Sequence, residues 1–156
     1  MPAARPLMEI VADDAQSARV QLLTQLLKLA SLISGPMQNG VAGPSDIGLN
    51  EVKIIFCLGG EGALAGHELS DLLAMTTMNA SRALTALLAR GWIEPVTDPA
   101  NRRRKPYRLS EAGWDGYRAM TPDIGKVAAH VFATLSKSET AAFARIMDKI
   151  VARIEG

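Results

Sequence analysis

The stretch DPANRRRKPYRLSEAG, Asp98 to Gly113, sets Arg102, Arg103, Arg104 and Lys105 side by side. Guanidinium forks pair two oxygens at once and an ammonium acts as a point charge, so this run suits the phosphates of a polyanion. A solvated loop carries such charge equally well, and the run alone does not decide between the two. Shortly upstream, TTMNASR offers Thr77, Asn79, Ser81 and Arg82. Near the start of a helix in the major groove, Asn suits adenine, Arg suits guanine or a phosphate, and Ser and Thr serve bases or backbone. Thr77 also suits a helix cap and Ser81 an exposed helical position. The net charge of +1 hides a segregation: Thr76 to Arg108 holds seven basic residues and two acids, so that window carries +5 and the rest −4. One surface is thereby marked for a polyanion.

The elements that position these residues are legible from period and punctuation. At 156 residues and 48% hydrophobic composition the chain suits one compact domain, or one domain with a helical extension. Residues 1–12 read as a flexible N-terminal arm. A helix follows from Asp13 to about Ser34, with Asp13 and Asp14 at its positive end. Its leucines, from Leu22 to Leu32, make a stripe too wide for one neighbour, so a second burial partner is expected. SGPMQNGVAGPSD then breaks the chain. Asn50 is expected to cap a helix over EVKIIFCL that stops at Gly59-Gly60; GGEG lacks the Lys-Ser/Thr of a phosphate loop and reads as a turn. HELSDLLAMTTMNASRALTALLARGWI reads as two helices joined at MTT, with cap candidates in Thr76 and Thr77. Ala80, Ala83, Leu84, Leu87 and Leu88 face inward on the second helix, which ends at Gly91. WIEPV and YRLS then read as short strands around the charged tip, with open edges suggested by Pro95 and Pro106. A hairpin directly after a helix-turn-helix is a winged helix. A long helix, with candidate interruptions at Pro122 and Gly125, and a last one opened by the Ser136–Glu139 capping box complete the chain. The last helix has an apolar stripe, Phe143 to Ile154, that pairs naturally with the first helix, within and between two subunits.

The fold class expected is therefore mostly α with a small β-wing: a winged helix-turn-helix over residues 46–113, flanked by N- and C-terminal dimerisation helices over 13–36 and 114–156. The single cysteine, Cys57, excludes an internal disulfide and sits in an apolar run as a buried, inert thiol. His67, His130 and Cys57 have no ligand-like spacing, so no metal is expected, and no cofactor. No nucleophile elbow, HExxH, dinucleotide fingerprint or close acid pair points to an enzyme. No signal-like start and no run of membrane-spanning length stand in the sequence, so a soluble cytoplasmic protein is expected, with no membrane partner.

The order of elements and their local words resemble the MarR (multiple-antibiotic-resistance regulator) family of bacterial transcription factors. LNEVKIIFCL is similar to the helix before the family's reading head, and LSDLLAMTTMNASRALTALLARGWI to its two-helix reader. DPANRRRKPYRLSEAG follows without a gap the wing pattern Asp-Pro-x-Asp-Arg-Arg, four residues, x-Leu-Thr-x-x-Gly. Asn101 stands where the pattern has Asp, and Ser110 where it has Thr. The Ser keeps a hydroxyl at a helix cap; the Asn removes a carboxylate expected to brace a wing arginine, which puts bracing of the wing in question. The resemblance implies a homodimer on double-stranded DNA with an inverted-repeat operator, and repression more often than activation. It favours Arg102 or Arg103 for the minor groove; Arg104 and Lys105, by their charge, are expected to neutralise phosphates. It also implies a small aromatic effector, for which Phe56, His67, Trp114 and Tyr117 are the candidate lining. Peroxide-sensing members would carry a cysteine in the first helix, which this chain lacks. The rival reading is a winged helix that binds protein, or DNA without sequence choice or ligand control.

Overall fold

The computed structural model describes residues 14–156; the expected arm over 1–12 and the charge of Asp13 lie outside them. Helix α1 spans Asp14–Met37, and the chain then widens into one π-helical turn over Gln38–Ala42. This corrects the expected break at SGPMQNGVA. Pro36 removes one N–H from the helical ladder, yet helical winding continues because it buries Val41 and Ala42 completely. Gly40 lets this turn lie directly on a later helix: a Cβ there would stand 2.5 Å from Val127 Cγ2.

Helix α2, Leu49–Glu61, begins earlier and ends later than expected. Gly48 is its N-cap instead of Asn50, because the Glu51 carboxylate reaches back to accept the Gly48 N–H. Gly59 and Gly60 lie within its last turn, and Gly62, at φ +87°, ends it. Strand β1, Leu64–Ala65, leads into α3, Gly66–Leu72, and α4 follows over Thr77–Ala89. Thr76 caps α4 by accepting the Asn79 N–H at 3.1 Å. Ala80, Ala83, Leu84 and Leu87 are buried as the helical period requires, whereas Leu88 turns outward and stays exposed. Gly91, at φ +71°, stops the helix.

Strands β2, Ile93–Pro95, and β3, Pro106–Leu109, form the wing and pair antiparallel, Ile93 opposite Leu109 and Glu94 opposite Arg108. The two-residue β1 pairs with the other side of β3, Leu64 opposite Tyr107, which makes β3 the central strand. One edge expected to be open is therefore covered, and Pro106 is buried at the first position of the central strand, where a proline is tolerated. Helix α5, Glu111–Val131, runs without interruption through Pro122 and Gly125. Helix α6, Lys137–Glu155, opens with the expected capping box between Ser136 and Glu139.

The core lies between α2, α4 and the sheet. Val52, Ile54, Ile55 and Leu58 meet Leu69, Leu84, Leu87, Ile93 and Leu109, with Met120 closing it from α5. The joint between reading head and α5 is the tightest contact. The Ser110 N–H donates to the Trp92 carbonyl at 3.0 Å, the Ser110 hydroxyl donates to the Gly91 carbonyl, and the same hydroxyl accepts the Gly113 N–H at 3.1 Å. A Cβ on Gly113 would lie 2.0 Å from the Trp92 carbonyl oxygen, and one on Gly116 2.7 Å from the indole.

The outer helices contrast with this core. No residue of α6 is buried, and Leu22, Leu23, Leu27 and Leu32 of α1 are 59–66% exposed, with Ile154 of α6 at 80%. No described helix is long and apolar enough to cross a membrane. The joint gives a paired expectation in chemical denaturation. Gly113→Ala should cost about 2–3 kcal/mol, since a backbone carbonyl cannot move aside. Gly60→Ala, with open space around it, should be neutral or raise stability by about 0.5 kcal/mol.

Candidate nucleic-acid interface

Helices α3 and α4 with the turn at residues 73–76 present the start of α4 to solvent. Because Thr76 supplies the cap, the Thr77 hydroxyl is not spent on it. Thr77, Asn79, Ser81 and Arg82 are all exposed in the first six positions of α4. Among the described residues, no hydrogen bond or ion pair engages the side chains of Thr77, Asn79 or Arg82, which leaves three polar ends available to base edges and backbone.

The wing tip is shaped by two successive side-chain turns. Asp98 Oδ1 accepts the N–H of Ala100 at 3.0 Å and of Asn101 at 3.3 Å. Asn101 Oδ1 then accepts the N–H of Arg103 at 3.2 Å and of Arg104 at 3.3 Å. Asn and Asp favour this self-bonded turn. Arg102, Arg103 and Lys105 project from it, exposed and without an ion pair among the described residues. Arg104 does not join them. Its Nε lies 2.7 Å from Glu68 Oε1, its Nη2 2.8 Å from Glu68 Oε2, and its Nη1 3.2 Å from Asp98 Oδ2. Its donors, expected to serve phosphates, are engaged here by two carboxylates. This also answers the question raised at Asn101: Asp98 and Glu68 supply the charged brace, and Asn101 shapes the backbone.

Two further basic residues in this window are engaged. Arg108 pairs across the strands with Glu94 at 2.8 Å. The Arg90 guanidinium donates to the Asp46 carbonyl, stands 3.9 Å from Glu51 and lies 5.7 Å from the Trp92 ring centre. The cations left for a polyanion are Arg82, Arg102, Arg103 and Lys105. Sequence reasoning missed Glu68; its one signal was an acid three residues after Ala65, the spacing of a capping carboxylate.

The expected effector lining divides. Phe56 and Trp114 each meet Tyr117 edge to face, at ring-centre distances of 5.8 and 5.9 Å, and the cluster joins α2 to the start of α5. Phe56 and Tyr117 are half-buried against the core, and Trp114 is 37% exposed. His67 stands apart from them, exposed at the second position of α3. It lines an open groove of about 380 Å³ between α3, α4 and the wing, together with Thr77, Ser81 and Lys105. Cys57 is half-buried, and burial, then Glu61, pushes its thiol up and away from thiolate character. Among the described residues, no three His, Cys, Asp or Glu side chains stand together to hold a metal ion.

Residues 47–105, the reading head and most of the wing, match the model of the MarR family. Over this stretch, which is less than half of the chain, it is similar to MarR-family proteins. Solved structures share the fold over nearly their whole length. A MarR-family regulator from Silicibacter pomeroyi is 19% identical with a TM-score of 0.73, over 96% of this chain and 97% of that one. A MarR mutant from E. coli, complexed with operator DNA, is 17% identical with a TM-score of 0.69, over 88% and 99%. Bordetella bronchiseptica BpsR, whose DNA binding is regulated by 6-hydroxynicotinic acid, is 18% identical with a TM-score of 0.70, over 84% and 98%. At these identities the likeness is one of fold. No curated protein matches the sequence.

The Glu68 carboxyl is held at about 2, below its ordinary 4.5, first by the Arg104 side-chain hydrogen bonds and then by the Ala65 N–H. A folded value below the unfolded one means that its contribution is complete above about pH 4.5 and is lost as pH falls toward 2. Carbon-13 titration of the Glu68 carboxyl in the full chain should place its midpoint near 2. In Arg104→Met the midpoint should return toward 4.5, and an unchanged midpoint would mean that the pair does not form in solution.

Proposed function

We propose that this protein is a MarR-family transcriptional regulator: a cytoplasmic, dimeric, sequence-specific repressor that occludes an inverted-repeat promoter site and is released by a small aromatic molecule. The observation that carries the DNA contact is the placement of four exposed polar residues at the start of α4 beside three wing cations that have no ion pair among the described residues. In this reading Thr77, Asn79, Ser81 and Arg82 meet base edges and flanking backbone in the major groove. Arg102 or Arg103 enters the minor groove, and Lys105 holds a phosphate. Residues 46–113 form the DNA-binding unit; 13–36 and 114–156 form the dimerisation region. Support for the dimer comes from the leucines of α1 and the apolar residues of α6, exposed on a single chain and costly to leave in water. A two-fold dimer favours half-sites about one helical turn apart. The aromatic cluster of Phe56, Trp114 and Tyr117 supports an effector site, because it joins α2 to the helix that carries the reading head.

Selection of bound fragments from genomic DNA, followed by binding at several salt concentrations, tests the whole reading. Arg103→Ala should lower the log-log salt slope by about 0.9, one phosphate's share of released counterions. Weak, sequence-blind retention with no enriched fragment would favour the rival module that binds protein, or DNA without choice. The dimer has its own test. Leu27→Asp should move the protein from dimer to monomer in sedimentation at micromolar concentration and weaken operator binding, whereas a variant that stays dimeric would take α1 out of the interface.

A further inference from the structure

We propose that Arg104, Glu68 and Asp98 form a clamp that positions the wing relative to the reader helices, and that Arg104 serves DNA binding through this placement without touching phosphate. The proposal rests on the DNA-binding reading above and assigns a part to residues that the family resemblance does not. Arg104 falls among the four positions that the wing pattern leaves open, so the pattern itself prescribes no residue there.

The geometry is that of a fork seated between two carboxylates. Arg104 gives Nε and Nη2 to the two oxygens of Glu68, Nη1 to Asp98, and Nη2 also to the Ala63 carbonyl at 3.3 Å. Four of the five guanidinium N–H donors are thereby directed into the protein. Its side chain is 25% exposed, against 28% for Glu68 and 21% for Asp98, so all three are partly withdrawn from water. Glu68 has a second task, since its Oε2 accepts the Ala65 N–H at 2.7 Å and so seats the first turn of α3. One carboxylate therefore holds both the entry to the reader and the far side of the wing tip. Asp98 ties the near side, because its other oxygen builds the tip turn. A wing tied to α3 through Arg104, with Asp98 joining the two sides of the tip on the same guanidinium, can present Arg102 and Arg103 at a set distance from α4.

Charge alone predicts the opposite behaviour, which makes the proposal easy to overturn. Glu68 and Asp98 are negative groups beside a surface meant for phosphates. Removing one should tighten DNA binding if Coulomb repulsion governs, and loosen it if placement governs. Lysine separates the two roles of Arg104 in the same way. It keeps a point charge for a phosphate but cannot fill two carboxylates with a planar fork.

The experiment uses the full chain as wild type, Arg103→Ala, Arg104→Lys, Arg104→Met and Glu68→Gln, with a duplex that the wild type selects from random-sequence DNA. Thermal melts identify any variant that fails to fold. Arg104→Lys and Glu68→Gln should each weaken binding by about tenfold, the size of one or two charged hydrogen bonds. Arg104→Met should weaken it with an unchanged salt slope, while Arg103→Ala lowers the slope by about 0.9. Wild-type affinity in Arg104→Lys, tighter binding in Glu68→Gln, or a slope lowered by Arg104→Met as much as by Arg103→Ala would overturn the clamp while leaving DNA binding intact. If the wild type selects no duplex, or Arg103→Ala leaves the slope alone, it is the DNA contact of the wing that has failed. The clamp is then judged by amide exchange at Arg103 and Arg104: faster in Glu68→Gln supports it, and unchanged exchange overturns it.

Discussion

The rest of the molecule depends on one close approach, between the backbone of α5 and the carbonyl of Trp92. Where Gly113 meets that oxygen there is no room for a side chain, and Ser110 ties Gly91, Trp92 and Gly113 together with one hydroxyl and one N–H. The end of the reader helix, the base of the wing and the start of α5 are thus joined within a few residues. A hydroxyl that both donates and accepts is the smallest group able to do this, so a Ser in place of Thr at this position loses nothing that the joint needs.

Much of this was written locally in the chain, and the exceptions have a common cause. Helices α4 and α6 announced themselves by cap and period: Thr76 or Thr77 before Ala80, Ala83, Leu84 and Leu87, and Ser136 before Glu139. The wing was legible because its strands flank a run of charge and a turn former. What stayed hidden depended on partners distant in sequence. GPMQNG has the composition of a break, but burial of Val41 and Ala42 against the rest of the core outweighs that propensity. Strand β1 is two residues long, too short for any alternation to show, and exists because β3 offers it an edge. The candidate site divides the same way. Exposure of Thr77, Asn79, Ser81 and Arg82 followed from the helical period. The inward turn of Arg104 did not, because its carboxylate on Glu68 lies thirty-six positions earlier.

Counting cations in the sequence therefore overstates the field at the surface. Of the seven basic residues between Thr76 and Arg108, Arg90, Arg104 and Arg108 are each held by an acid. These four pairs differ in kind. The Arg108–Glu94 pair is open to water and contributes little to stability. The Arg104 pairs are drier, bidentate on one partner, and built into a turn, which makes them matters of geometry as much as of charge.

Helix α5 has one end locked at Gly113 while its other end, at Val131 and Phe132, opens into an apolar groove of about 460 Å³ beside Leu29, Phe143 and Ile146. Its 21 residues make a rod of about 32 Å. A tilt of about 10° at the grooved end would carry the reading head through about 5 Å, more than the 3.4 Å rise between neighbouring nucleotides of a strand. The lock at Trp92 leaves little slack to absorb such a swing. A shift of α5 at the grooved end would therefore move the reading head as well.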